Sequence, residues 1–268
     1  MPATVGHVTS EDGTRIAFRR SGQGPPLVLV HGTASDHMSF RFLVPLLVER
    51  FTLYALDRRG RGDSGDSDDY TFGRELDDLA CVVESLGCPA DVFGHSFGAT
   101  VALAAAPRLP SLRRLVLYEG SPGIRVVPYA DVERIVTLLE TGDDEEALAA
   151  AYRSFGLTER ELGQIRSSPV WPARVAAVHT IAREIRAEEE YRVEPERFAR
   201  LAAPMLLLLG EESPPWAHEA AELICGAVPQ ARIAVLPGQA HVATLTAPEL
   251  VADELTRFLA ADAGNAAG

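Results

Sequence analysis

The sequence predicts an α/β fold: a mostly parallel central sheet with helices on both faces, interrupted once by a block of helices. Three observations carry that expectation. Short apolar runs alternate with stretches of helical periodicity through the first 120 residues and again from about residue 202. One of the strands, Asp91-Val92-Phe93, runs directly into Gly94-His95-Ser96-Phe97-Gly98 and then a helix, the strand-turn-helix pattern of a nucleophile elbow. Between Gly120 and Leu201 the alternation stops and only helical patterns follow. With 268 residues and 47% hydrophobic content, the chain can bury one large core and still carry an insertion. The expected division is a core over residues 1–120 and 202–262, a helical cap over 121–201, and a flexible tail over 263–268.

Taken in order, Val5 to Val8 and Arg15 to Arg19 flank the turn Glu11-Asp12-Gly13 and form an antiparallel hairpin. Pro25-Pro26 introduces Leu27-Val28-Leu29-Val30, a continuous apolar run expected of a strand buried on both faces, which ends at His31-Gly32-Thr33. Phe40 to Arg50 reads as an amphipathic helix with Phe40, Leu43, Leu46 and Leu47 on one face, and Phe51 to Ala55 as the next strand. Asp57-Arg58-Arg59-Gly60-Arg61-Gly62-Asp63-Ser64 is too polar and glycine-rich to be anything but a loop, in which Asp57 and Asp63 are expected to neutralise the arginines. Thr71 to Leu86 is a helix, Ala90 to Phe93 the strand before the elbow, and Arg113 to Tyr118 another buried strand. The block of helices comprises Tyr129 to Glu140, Asp144 to Phe155, Thr158 to Arg166 and Pro172 to Glu190. The sheet resumes at Met205 to Leu209, a helix spans Trp216 to Cys225, Arg232 to Leu236 is the last strand, and Pro248 to Ala260 closes the chain.

Composition narrows the function. A formal net charge of −13 argues against nucleic acid and against an anionic membrane surface as partners. All 25 basic residues are arginine, so Schiff-base chemistry on lysine is excluded. Cys81, Cys88 and Cys225 lack zinc-site spacing and read as reduced, structural residues. No histidine, cysteine or carboxylate cluster has metal-ligand spacing and no phosphate-binding glycine loop occurs, so no cofactor and no metal are expected. The start Met1-Pro2-Ala3-Thr4 has neither a basic region nor an apolar one behind it, which leads to the expectation of a soluble, cytoplasmic protein. A small-molecule substrate is the expected partner, with homodimer formation left open.

The chemistry centres on Ser96. Gly94 and Gly98 leave room where a Cβ would collide with backbone, so the turn can present the Ser96 hydroxyl. The helix that follows aims its N-terminal N–H groups at the same spot, and the Phe97 N–H can help hold a developing oxyanion. Thr33, in a glycine-opened loop past a central strand, is the second candidate for that role. Together with Gly238-Gln239-Ala240-His241 past the last strand and the arginine loop, these motifs make the chain resemble the α/β-hydrolase superfamily over nearly its whole length. The resemblance implies the α/β-hydrolase fold, with Ser96 as nucleophile, His241 as its base, and the N–H groups of Thr33 and Phe97 as oxyanion hole.

The acid departs from the family pattern. Relatives usually carry an aspartate at the position held here by Ser213, in Gly210-Glu211-Glu212-Ser213-Pro214. Two carboxylates can replace it: Glu119, at the end of the strand after the elbow helix, where haloalkane dehalogenases place their acid, and Glu212, one residue before Ser213. Glu119 is the favoured reading and Glu212 the alternative. His37, Tyr129 and Trp171 are expected to contact substrate, with Phe155 and His179 as further pocket candidates, and this apolar and aromatic set favours a small uncharged molecule. The expected activity is cofactor-free hydrolysis of an ester, lactone or thioester through an acyl-enzyme. Carbon–carbon hydrolysis and perhydrolysis remain compatible with the same residues, and a low-turnover binding module is the competing class.

Overall fold

The computed structural model describes residues 3–198 and 201–260. The expected tail over 263–268 lies outside them. The strands are β1 (Thr4–Thr9), β2 (Arg15–Gly22), β3 (Pro26–Val30), β4 (Thr52–Asp57), β5 (Ala90–His95), β6 (Leu112–Tyr118), β7 (Met205–Gly210) and β8 (Ala231–Leu236). They form one eight-stranded sheet in the order β1-β2-β4-β3-β5-β6-β7-β8. The opening hairpin and its pairing with β4 are antiparallel, and every later pairing is parallel.

The central strands are mostly apolar because both faces are covered, and the period of two sorts their side chains between two cores. Val28 and Val30 of β3, Val92 of β5, and Leu207 and Leu209 of β7 belong to one core, shared with α2 (Phe72–Ser85), α3 (Phe97–Ala105) and α10 (Pro215–Ala227). Leu27, Leu29, Phe93 and Leu208 belong to the other, shared with Leu47 of α1 (Val44–Leu47) and Val251, Leu255 and Leu259 of α12 (Pro248–Ala260).

Between β6 and β7 the chain makes α4 (Tyr129–Glu140), α5 (Asp144–Ser154), α6 (Glu159–Arg166), α7 (Trp171–Ala176), α8 (Ile181–Glu190) and α9 (Pro195–Phe198), with α11 (Ala243–Thr246) following β8 later. This helical insertion has a core of its own, built on Leu148, Leu162, Trp171 and Ile181, which also takes in Ala34 from the loop after β3. Among the described residues no helix is long and apolar enough to cross a membrane.

Two helices expected to be continuous are broken. Over Phe40 to Arg50 the chain instead makes a short 3-10 turn, His37–Phe40, and the four-residue α1. Pro45 has no N–H to continue a helix from above and its ring clashes with the preceding turn, so the helix restarts around it. Leu46 consequently points out and is 40% exposed, whereas Phe40, Leu43 and Leu47 are fully buried. The stretch Pro172 to Glu190 divides at the 3-10 turn Val178–Thr180, where the Thr180 hydroxyl donates to the Ala177 carbonyl at 2.6 Å and competes with the regular backbone pattern.

Candidate functional site

Parallel β5 and β6 are in register His95 opposite Tyr118, and the Ser96 N–H donates to the Tyr118 carbonyl at 2.8 Å. The residues that follow these two strands, Ser96 and Glu119, are therefore set side by side at the carboxyl edge of the sheet. Ser96 turns the chain into α3 at φ 56°, ψ −129°. A Cβ on Gly94 would strike the Gly98 carbonyl and the Ala99 backbone, and one on Gly98 would strike the Val30 and His31 carbonyls. Both glycines are thus required for the turn to close against β3. Among the described residues three that are not glycine have positive φ, Ala34 at 45°, Ser96 at 56° and Glu119 at 50°. Each such conformation costs on the order of 1–2 kcal/mol. All three lie around one point, the Ser96 hydroxyl and the loop beside it.

His241 links them. Its Nε2 is 3.1 Å from Ser96 Oγ and its Nδ1 is 2.7 Å from Glu119 Oε2. The other oxygen of Glu119 accepts the Gly210 N–H at 2.7 Å and the Ser213 hydroxyl. Ser213, at the position where the family resemblance led to the expectation of an acid, donates to the carboxylate that follows β6. Burial pushes the Glu119 pKa up, but the hydrogen bonds from His241, Ser213 and Gly210 together with the His241 charge outweigh it, and the net shift is downward. Glu212 does not reach this cluster: its side chain is exposed and its N–H donates to the Gln239 carbonyl at 2.8 Å.

The loop bearing His241 is clamped by residues to which the sequence reading assigned no function. The Tyr118 hydroxyl donates to the Ala240 carbonyl and accepts the Ala243 N–H at 3.0 Å. His95 Nε2–H donates to the His241 carbonyl at 2.8 Å. Burial, with His241 nearby, holds the His95 pKa down to about 3, so its ring is neutral and stacks on Tyr118 at 4.9 Å. Trp216 meets His241 edge-on at 5.1 Å. The position of His95 inside the elbow motif was the only signal in the chain for any of these.

Thr33, Ser96 and His241 line a cavity of about 610 Å³, counted out to its mouth. Phe97 opens α3, so its N–H has no carbonyl one turn behind it. The loop carrying Thr33 is braced from below: Arg58 NH1 donates to the carbonyls of His31 and Gly32 at 3.2 Å each, and the Arg58 N–H donates to His31 Nε2 at 3.1 Å. Burial, reinforced by the charges of Arg58 and Arg61, keeps the His31 pKa well below 6.5.

Three expected substrate contacts are corrected. His37 is held on Asp57, which takes its ring Nδ1 at 2.7 Å and its N–H at 2.9 Å, and it does not line the cavity. Tyr129 is 67% exposed and stacks under Arg125. Trp171 is buried in the insertion core beside Tyr152, because an indole in the first turn of an amphipathic helix gains more from packing than from facing a cavity. His179 is likewise exposed. Phe155 does line the cavity, together with Tyr152, Arg41 and Arg174. The argument for an uncharged substrate rested on the displaced side chains and loses that support, since the wall carries two guanidiniums. The arginine loop is corrected as well. Its partners are Glu75, Glu184, Asp78 and Asp12 from other elements, while Asp57 takes His37 and Asp63 takes Arg19.

A family model described as the alpha/beta hydrolase family matches residues 27–254. N-formylmaleamate deformylase of Pseudomonas putida is 34% identical over 159 residues, covering 55% of this chain and 59% of that protein, so the chain matches less than two thirds of that relative's length. 2-(Acetamidomethylene)succinate hydrolase of Mesorhizobium japonicum is 27% identical, with 90% of each chain covered. Among solved structures, an alpha/beta hydrolase from Sphaerobacter thermophilus superposes with a TM-score of 0.83 at 34% identity, covering 95% of this chain and all of that one.

Proposed function

Because the chain belongs to the alpha/beta hydrolase family, we propose that it hydrolyses an ester-like acyl bond of a small organic molecule through an acyl-enzyme on Ser96. The observation that carries this reading is the continuous hydrogen-bonded line Glu119–His241–Ser96, whose last oxygen faces a cavity. His241 Nε2 takes the proton of Ser96 Oγ as that oxygen attacks the acyl carbon. Glu119 holds the Nδ1–H tautomer and stabilises the imidazolium that forms. The N–H groups of Thr33 and Phe97 receive the charge that develops on the carbonyl oxygen. As the intermediate collapses, the leaving group takes the proton from Nε2–H. Water then attacks the acyl-enzyme with its proton going to the same nitrogen, and Ser96 is regenerated.

Glutamate suits the acid role here for a geometric reason. β6 ends beside β5, closer to Ser96 than the loop after β7, and the side chain spans the gap to His241 from there. Ser213 has become a donor to that acid. The names of two relatives extend the bond class worth testing: one is a deformylase and another acts on an acetamido compound. Amides of small acyl groups therefore belong in the panel beside esters, lactones and thioesters. The deciding measurement is labelling with a fluorophosphonate followed by peptide mass mapping. The adduct is expected on Ser96 and is expected to disappear in His241→Ala. An unlabelled Ser96 in folded protein would make the chain a binding module instead.

A further inference from the structure

The buried arginines of the loop after β4 are paired with carboxylates, whereas two half-buried arginines at the cavity are not. Arg58 and Arg61 meet Glu75 and Glu184, and Arg59 meets Asp78 and Asp12. Arg41 and Arg174, which line the cavity with Ser96 and His241, have no carboxylate within ion-pair distance among the described residues. Arg174 donates from NH1 to the Tyr152 hydroxyl at 2.6 Å and from NH2 toward Ser39 Oγ at 3.5 Å. Those neutral partners orient the guanidinium and leave three of its five N–H donors uncommitted. Arg41 donates to the Met38 carbonyl at 3.1 Å, and the nearest acid felt there, Asp36, is engaged with the Met38 N–H at 2.8 Å.

Two like charges are thus held in the lining of one cavity. Burial and the charge of Arg174 both lower the Arg41 pKa, the sign expected when a cation lacks a counter-charge. A second recess that also reaches Ser96 and His241 is lined by Glu188 and Glu189 beside Trp216. Glu189 is paired there with Arg125, and Glu188 accepts from Thr100 and Ser121. Among the lining residues, guanidiniums without a carboxylate partner stand only in the first cavity, so an anionic group is better placed there.

We propose that the substrate carries a carboxylate, received by Arg174 and Arg41 while Ser96 attacks an acyl carbon of the same molecule. The inference rests on the hydrolase reading for the attacking group, not for the anion site. A planar guanidinium fork matches a carboxylate in geometry, and the surrounding negative charge of the protein disfavours more highly charged anions. Fixing the carboxylate also fixes the distance at which the acyl carbon sits from Ser96, so specificity is read by the insertion and the oxyanion loop jointly.

The test uses matched pairs that differ in one charge: para-nitrophenyl hydrogen glutarate against the para-nitrophenyl ester of glutaramic acid, and meta-acetoxybenzoate against meta-acetoxybenzamide. Wild type is expected to favour the acid in at least one pair by about ten- to a hundredfold in kcat/KM, the range of one or two charge-assisted hydrogen bonds. In Arg174→Gln that ratio is expected to fall to within about threefold of unity, with Arg174→Lys restoring part of it. A wild-type ratio near one in both pairs overturns the proposal. Glutarate titrated into Ser96→Ala separates this outcome from failure of the hydrolase reading. If no ester is turned over, glutarate binding that weakens tenfold or more on adding Arg174→Gln or Arg41→Gln still supports the anion site. Absence of binding, or equal binding of inorganic phosphate, overturns it.

Discussion

Two ionic clusters are buried at the carboxyl edge of the same sheet, and they differ in whether they are closed. After β4, Arg58 is gripped by both oxygens of Glu75 and by Glu184, Arg61 shares Glu184, and the Arg58 guanidinium lies 4.5 Å over the Phe97 ring. Each guanidinium there meets a carboxylate, and the cluster joins the oxyanion loop to α2 and α8. After β6, Glu119 is answered by three donors, but the chain of bonds runs on through His241 to a hydroxyl that faces open space. Burial of charge is common to both. Chemistry requires the open end.

That comparison is testable from either side, starting with the largest effect. Ser96→Ala is expected to lower kcat by about three orders of magnitude or more on any confirmed substrate, while leaving thermal unfolding within about 2 °C of wild type. A large loss of stability would mean that the serine belongs to the closed kind of cluster. Glu119→Gln is expected to cut kcat by roughly two to four orders of magnitude, because the neutral amide no longer fixes the tautomer or stabilises the imidazolium. Glu212→Gln, by contrast, is expected to cost less than about tenfold. Steady-state kinetics on the two variants would reverse the assignment of the acid if the ranking came out the other way.

The closed cluster is expected to respond in stability. Arg58→Ala leaves the buried Glu75 and Glu184 with Arg61 as their one remaining guanidinium within ion-pair distance and is expected to cost on the order of 3–5 kcal/mol in urea unfolding. A cost below about 1 kcal/mol would show that the cluster contributes little net stability despite its many contacts. The smallest effect concerns Glu188, half-buried against Thr100 and Ser121, whose pKa is raised chiefly by burial and further by Glu184. A carboxyl raised in the folded state contributes stability that is fully present below its unfolded pKa of about 4.3 and is lost as pH rises through the folded value. Glu188→Gln, which mimics the neutral acid, is therefore expected to raise Tm by about 2–4 °C at neutral pH, with the gain vanishing below about pH 4. Calorimetry at both pH values checks the sign.

What the chain determined by itself is what local chemistry can encode. Runs such as Leu27-Val28-Leu29-Val30 specify strands covered on both faces, and their alternation already sorts side chains between the two cores. Gly94 and Gly98 specify the turn at Ser96, since no other residue fits beneath the Val30 and Gly98 carbonyls. Pro45 was just as visible, and weighing it would have divided the helix expected over Phe40 to Arg50. Tertiary structure decided the rest, because it concerns distances between residues far apart in the chain. Glu119 was one of two carboxylates until the register of β5, β6 and β7 set it against His241, 122 residues away, and set Ser213 as its donor. Arg174 approaches Ser39 across 135 residues, and no periodicity in α7 distinguishes a side chain aimed at a cavity from one aimed at solvent. Trp171, three residues earlier, was chosen for its chemistry and proved to be core, because the insertion had to fill its own interior before it could line anything else.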